Sequence, residues 1–112
     1  RQPQRAAGRD EAFDKIIERI QSAGGQISED ETVPLYTEAG ANQYEVGSQR
    51  TVIFNLNKLD FQLIRKVETG ILQGEGRQKH LETLETPRIR MALKKKSGYS
   101  EDWQVVDLDE MF

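Results

Sequence analysis

The chain contains a single histidine, His80, and it is the first residue to consider for chemistry. A catalytic triad of serine, histidine and aspartate would have to be built around it. Its neighbours Arg77, Gln78 and Lys79 form a polar stretch of the kind found in surface turns. This setting favours a surface residue, with contact to a phosphate or an acidic partner as the functional alternative. We therefore predict no catalytic residue here and a protein that is not an enzyme.

Three glycines, Gly70, Gly74 and Gly76, form a second candidate, because glycine-rich loops can cradle phosphates. A phosphate loop also needs a fixed glycine spacing and a final lysine followed by serine or threonine at the start of a helix. Neither feature is present, and Glu75, between two of the glycines, would repel a phosphate. The pattern favours a flexible hairpin loop.

Acidic clusters at residues 29–31 and 107–110 could offer oxygen ligands to Mg²⁺ or Ca²⁺. Neither has the spaced ligands and central glycine of a calcium loop. The nearest approach to a metal nuclease is Asp60, Lys66 and Glu68, which would share one face of a strand. They span about 25 Å at ~3.3 Å per residue, too far to meet around one ion. We predict no metal site and no cofactor.

Basic and acidic residues are concentrated in different segments of the chain. Residues 49–96 carry eleven Lys or Arg against five Asp or Glu, whereas residues 25–48 and 97–112 carry five acids each and no base. The net charge of −3 hides this pattern. The basic centre favours binding of a polyanion. The alternative, that the acidic segments neutralise the basic surface within the fold, stays open from the sequence.

Length and composition predict one folded domain with loose ends. The chain has 112 residues, of which 36% are hydrophobic and 31% charged, and it lacks cysteine. No apolar run approaches the ~18 residues that a membrane span needs. We predict a flexible arm over residues 1–9, a single domain over residues 10–112, a cytoplasmic location and no membrane partner.

The first predicted element is an amphipathic helix. Its stripe recurs at spacings of three and four residues and comprises Ala12, Phe13, Ile16, Ile17 and Ile20. This spacing is typical of a helix with one buried face. Asp10 is the predicted N-cap, and the pair Gly24 and Gly25 is the predicted stop.

The clearest strands follow after residue 49. Val52, Phe54 and Leu56 alternate with other residues, Asn57 and Lys58 interrupt, and alternation resumes over residues 59–67. This pattern predicts a hairpin. Residues 26–42 are acidic and contain Pro34, and they predict a long connection with at most one short edge strand.

Three further segments complete the prediction. Residues 88–95 alternate and predict a strand, and residues 78–85 predict one short helix ended by Pro87. Residues 103–108 fit a last strand better than a helix. Together the elements predict an α+β domain in which one N-terminal amphipathic helix packs on an antiparallel sheet of three to five strands.

The alternation also predicts a basic face on this sheet, opposite the apolar core. The candidate polyanion-binding residues on strands are Lys66, Arg88, Arg90 and Lys94. Those placed in the adjoining turns are Arg77, Lys79, Lys95 and Lys96. The expected partner is a nucleic-acid backbone or an acidic protein segment. Stacking on unpaired bases is disfavoured because Phe54 and Phe61 fall on the core side.

The alternative function is a protein-interaction or regulatory subunit of a larger assembly, such as a phage or viral one. It would use the helix stripe or a sheet edge, and a sheet edge could also join copies of the chain into a homo-oligomer.

Overall fold

The structure, a computed structural model, describes residues 4–39, 41–97 and 99–107. One helix precedes a five-stranded antiparallel sheet in which every strand pairs with its neighbour in the sequence. The elements are α1 Gln4–Ser22, β1 Gln26–Ala39, β2 Asn42–Leu56, β3 Leu59–Gln73, β4 His80–Ser97 and β5 Gln104–Val106. The predicted α+β class, with one N-terminal helix on an antiparallel sheet, is confirmed. No helix in the described part is long and apolar enough to cross a membrane.

Helix α1 begins earlier than predicted. It starts at Gln4, so Asp10 lies inside the helix and its prediction as the N-cap is wrong. The residues that extend the helix include Gln4, Arg5, Ala6 and Ala7, which have high helix propensity. The flexible arm over residues 1–9 stays a prediction, and residues 1–3 lie outside the described residues.

The predicted glycine stop of α1 is confirmed. Gly24 has φ 95°, and its N–H donates to the Gln21 carbonyl at 3.1 Å. The N–H of Gly25 donates to the Ile20 carbonyl at 2.8 Å. These two bonds form a Schellman motif, which satisfies helix carbonyls that would otherwise lack partners.

The helix covers one face of the sheet, as the apolar stripe predicted. Phe13 and Ile20 are fully buried. They pack on a cluster from the three central strands, which comprises Val52, Phe54, Phe61, Leu63 and Leu93. The rings of Phe54 and Phe61, which face each other across β2 and β3, stack with centroids 5.1 Å apart.

The turn between β2 and β3 is the one that the sequence predicted. Asn57 has φ 53° and Lys58 has φ 68°, and both lie in the left-handed region. A two-residue hairpin loop of this kind matches the right-handed twist of the strands. It sets Leu56 opposite Leu59 and fixes the register of the whole hairpin.

Strand β1 corrects the prediction of a long connection over residues 26–42. It is 14 residues long and pairs with β2 from Gln26 to Ala39. Pro34 is tolerated because β1 lies at the edge of the sheet, where a missing N–H can face outward. Because the segment is rich in acidic residues, its sequence pattern did not predict this strand.

The short helix predicted over residues 78–85 is also wrong. The described chain has a single 3₁₀ turn at Gly76–Gln78, and β4 begins at His80. Leu81 and Thr83 lie opposite Leu72 and Gly70 of β3. Pairing with β3 supplies the backbone hydrogen bonds that a helix would have made internally.

Strand β5 is shorter than predicted. It covers Gln104–Val106, so Trp103 precedes it, and Leu108 lies outside the described residues. The ring of Trp103 makes a cation–π contact with Lys96, whose Nζ lies 4.9 Å from the ring centroid.

Pairing between β2 and β3 ends at Gly47 and Glu68. Beyond this point β2 pairs only with β1, and β3 pairs only with β4. The five-stranded body therefore continues into two separate two-stranded ribbons at the end that carries the β3–β4 turn.

Candidate polyanion-binding face

Five of the candidate cations lie on the sheet face that α1 leaves open, here called the uncovered face. On β3 and β4, Lys66 is opposite Arg90, and Gln62 is opposite Lys94. Arg88 follows the same alternation two residues before Arg90. The buried pair Leu63 and Leu93 points to the other side, toward α1. The uncovered face thus holds Lys66, Arg88, Arg90 and Lys94, and also Lys96, which is opposite Asp60.

Lys66 and Arg90 form a like-charge pair across two neighbouring strands. Like charges directly opposite each other in an antiparallel pair are destabilising. The charge of Lys66 is partly compensated by Glu68, whose Oε1 lies 3.7 Å from the Nζ of Lys66. Arg90 is exposed, and no carboxylate of the described residues lies within 4 Å of its guanidinium. The pair therefore concentrates positive charge that the described residues neutralise only in part.

Two acidic residues lie at the two ends of this group of cations on β3 and β4. Asp60 is opposite Lys96, and Glu68 is opposite Arg88. Between these ends the cross-strand row of Ile64 and Ala92 is uncharged. The net positive charge of β3 and β4 is therefore greatest around Arg90 and Lys94.

The acidic segment at residues 29–31 does not lie across the basic residues. Glu29 shares a cross-strand row with Lys94, but Ile53 and Gln62 stand between them. Three strand spacings of ~4.8 Å separate β1 from β4, or about 14 Å. The uncovered face is therefore acidic at the β1 edge and basic toward β4.

Lys95 and Lys96 lie inside β4, which continues to Ser97, and the prediction that they occupy a turn is wrong. Lys95 is opposite Phe61 and so belongs to the face that α1 covers, whereas Lys96 belongs to the uncovered face. Both line a pocket of about 150 Å³ beside the β4–β5 connection, together with Asp102. The carboxylate of Asp102 makes this pocket a poor site for an anion.

Arg77 and Lys79 lie in the β3–β4 turn at the far end of a ribbon. Lys79 immediately precedes β4, and Arg88 is nine residues beyond it in an extended segment. The two groups of cations therefore do not form one surface. His80 is at the same turn, with Nδ1 3.1 Å from the Gln78 carbonyl oxygen.

On the uncovered face of the sheet body, strands β1 to β4 carry no aromatic side chain. Its residues alternate within 26–33, 49–55, 60–68 and 88–96, and none of those that face away from α1 is aromatic. Unstacked bases are normally recognised by stacking on Phe, Tyr or Trp. These four strands therefore offer charge without a stacking surface, and the Trp103 ring beside them is in contact with Lys96.

A second cationic cluster, which sequence reasoning missed, lies on the covered face. Arg50 is opposite Arg65, and both guanidinium groups lie over the ring of Phe13, at 5.2 and 5.4 Å from its centroid. Arg50 also makes a two-pronged contact with Asp30, at 2.9 and 2.7 Å. A weaker contact of 3.4 Å joins Arg50 to Asp14 of α1.

The contact between Arg50 and Asp30 shifts both pKa values. The hydrogen bonds from Arg50, aided by its charge, lower the pKa of Asp30 below its ordinary 3.8. The same hydrogen bonds raise the pKa of Arg50. This cluster ties α1, β1 and β2 together, so the like charges on the covered face are compensated within the fold.

Replacing Arg50 with methionine should lower the free energy of unfolding at neutral pH by about 1 to 2 kcal/mol, because a two-pronged ion pair and a cation–π contact are lost. The folded-state pKa of Asp30 is lowered, so its contribution is complete above pH 3.8 and is lost as the pH falls through the folded-state pKa. The difference between the parent and R50M should therefore shrink in acid, as urea unfolding at several pH values would measure.

The control is Lys15→Met, since Lys15 is exposed on α1. It removes one cation of the same chain without touching the cluster, and its effect should stay within about 0.5 kcal/mol. An R50M effect no larger than that of K15M would show that the cluster does not stabilise the fold.

Comparison with known proteins gives no match: no family model, no curated protein and no solved structure is similar to this chain. Among the described residues there is also no group of three or more His, Asp or Glu side chains placed to hold a metal ion.

Proposed function

We propose that this domain is a non-enzymatic binding module whose uncovered, basic sheet face engages a polyanion. The observation that carries the proposal is the like-charge pair of Lys66 and Arg90, flanked on the same face by Arg88 and Lys94. The arginine pair on the covered face has Asp30 and the Phe13 ring to compensate it, whereas Arg90 has no such carboxylate among the described residues. An external anion would supply the compensation.

Binding is favoured over catalysis because the candidate reactive groups do not converge. His80 is the first residue of β4, beside the β3–β4 turn, while Asp60 and Glu68 are eight residues apart on β3. The proposal includes the cytoplasmic location expected from the sequence.

The spacing of the cations suits a linear, repeating anion. Same-face residues of β4 such as Arg88 and Arg90 are separated by about 6.6 Å, twice the rise per residue of a strand. Strands β1 to β4 carry no aromatic side chain on this face, and the Trp103 ring beside it is in contact with Lys96, so the face would recognise phosphates or carboxylates rather than bases. The two partner classes supported are therefore a nucleic-acid backbone and an acidic protein segment.

The test is charge reversal at the centre of the face. The double variant R90E/K94E should lose at least about 30-fold in affinity for a labelled polyanion, and each lost phosphate contact with a single strand should reduce the salt slope by ~0.7. Fluorescence anisotropy against oligothymidylate and polyglutamate, at several salt concentrations, measures both quantities. Unchanged affinity for every polyanion would refute the proposal.

The matched control is K15E/K58E, which changes the net charge equally at two exposed positions away from the face. It should bind nearly as the parent does. Thermal unfolding separates binding from folding: R90E places a carboxylate opposite Lys66, so stability should be unchanged or higher by ~0.2 to 1 kcal/mol.

The alternative function, a protein-interaction or regulatory subunit, is supported by one observation. The outer side of β1 is a sheet edge 14 residues long. The helix stripe is a weaker candidate because Phe13 and Ile20 are buried under the sheet. A salt titration distinguishes the two functions, since polyanion binding weakens steeply with salt and edge pairing does not. A homo-oligomer formed through a sheet edge is part of this alternative.

A further inference from the structure

The uncovered face carries opposite charges on its two sides. Glu29 and Glu31 of β1 are opposite Ile53 and Thr51 of β2, which point away from α1, and both acids are exposed. On the other side of the same face lie the cations of β4. Two strands, β2 and β3, separate the two sides. The acidic side of this face is therefore complementary in charge to its basic side.

Two isoleucines form an apolar centre between these sides. Ile53 of β2 and Ile64 of β3 point away from α1. Their neighbours Val52 and Leu63 are fully buried on the covered face, and successive side chains of a strand alternate. Both isoleucines are partly exposed, and the described chain has no second α-helix to cover them. Burial of such side chains favours association with another apolar surface.

The register of the sheet sets the complementary groups at the same height along the strands. Glu29 and Lys94 belong to one cross-strand row. Glu31 belongs to the next row on this face, which ends at Ala92. Ala92 lies midway between Arg90 and Lys94 on β4. A rotation that exchanges β1 and β4 without a shift along the strands therefore sets acids over bases.

We infer that the uncovered faces of two copies of this chain pack together about a two-fold axis that runs parallel to the strands, between β2 and β3. Residues 29–31 of each copy are then the acidic protein segment that Arg90 and Lys94 of the other copy bind. The inference rests on the proposed function and names the partner of that same face.

The distribution of charge selects this axis. A two-fold interface brings the same patch of both copies together. With the axis parallel to the strands, β1 of one copy lies over β4 of the other, and Ile53 and Ile64 of both copies meet near the axis. An axis across the strands would instead stack β4 on β4, where like charges would repel each other.

The geometry of stacked sheets is compatible with these contacts. Packed sheets lie ~10 Å apart, and their strands cross at about 30°. Strand β1 is ~7 Å from the axis, so this crossing moves it by about 4 Å along β4 of the other copy. Arg90 and Lys94 are about 13 Å apart along β4. The acids therefore stay over the segment that these two cations bound.

The size of the face predicts a weak dimer. Strands β1 to β4, each ~4.8 Å wide, and residues 60–68, at ~3.3 Å per residue, give a face of about 500 Å² per copy. The total of about 1,000 Å² is at the lower end of specific interfaces. An external polyanion that binds the same cations should therefore displace the second copy.

The experiment measures self-association of the full chain by sedimentation velocity, from about 1 μM to about 1 mM. E29K/E31K sets cations over cations, and R90E/K94E sets acids over acids, so each variant alone should dimerise at least about 30-fold more weakly than the parent. An equimolar mixture of the two variants should dimerise at least as well as the parent, because both contacts between β1 and β4 then join opposite charges.

Two control variants change the net charge by the same amounts away from this face. They are E11K/E18K and K15E/K58E, whose four positions are exposed. Each should dimerise as the parent does. Oligothymidylate added to the parent should shift the dimer to a monomer, and added salt should weaken the dimer.

Several results would overturn the inference. A parent that is monomeric at every concentration but binds oligothymidylate or polyglutamate would refute the inference alone. A monomer that binds neither would refute the proposed function as well. A dimer that persists in E29K/E31K and in R90E/K94E, or that binds oligothymidylate without dissociating, would use another surface. A dimer that forms only after residues 108–112 are removed would show that the chain's own end competes for this face.

Discussion

Gly47→Ala should be among the most destabilising single substitutions in this protein. A Cβ atom at Gly47 would lie 1.9 Å from the Val67 carbonyl oxygen and 3.1 Å from the Cα of Glu68. Both obstacles are backbone atoms of β3, so the clash cannot be relieved by turning a side chain. We expect the free energy of unfolding to fall by about 3 kcal/mol or more, measured by urea denaturation.

Gly76→Ala is the matched control for this prediction. Gly76 has φ 57°, which disfavours alanine, but no atom would lie within 4 Å of its new Cβ. Its replacement should therefore show only the conformational penalty, about 1 kcal/mol. If the two variants were equally stable, β2 and β3 would not approach closely at Gly47.

Phe13→Ala should be comparably destabilising, because Phe13 anchors α1 to the sheet. Its side chain is fully buried, and the guanidinium groups of Arg50 and Arg65 both lie over its ring. Truncation of a buried phenylalanine lowers the free energy of unfolding by about 3 to 5 kcal/mol, and here two cation–π contacts are lost in addition. Urea unfolding monitored by circular dichroism would measure the loss.

Two further variants serve as comparisons for Phe13→Ala. Glu18→Ala, at an exposed position of the same helix, should change stability by less than about 0.5 kcal/mol. Phe13→Leu keeps an apolar anchor and removes the ring, so its effect should lie between the two. An F13A effect equal to that of E18A would mean that α1 does not pack on the sheet. Any F13A protein that stays folded should keep its affinity for polyanions, since the binding face is on the other side.

The parts of the fold that were predictable are those with a strong local pattern. The stripe that includes Phe13 and Ile20 predicted a helix with one buried face, and the alternation around Val52 and Phe54 predicted a strand. Asn57 is a residue type that tolerates positive φ, which marked the turn between β2 and β3. Each signal depends on neighbours within a few residues, so no partner strand was needed to recognise it.

The elements that were mispredicted depend on a partner instead. Strand β1 has charged residues on both faces, and Asp30 lies on the covered face, where Arg50 of β2 binds it. The spacing of Leu81 and Leu84 also fits a helix, and pairing with β3 decides in favour of a strand. Local propensity is a weak prior, and tertiary pairing overrides it in both segments.

In the candidate site, too, some positions follow from the local sequence pattern and others depend on pairing with a distant strand. The sequence alone determined that Arg88, Arg90 and Lys94 share one face of a strand, because alternation is a property of the extended backbone itself. Only the tertiary structure decided that Lys66 stands opposite Arg90, that Lys95 turns to the covered face, and that Glu29 lies at the far edge. The reason is that strand register and order follow from turn geometry and from packing between distant segments, which no local pattern contains.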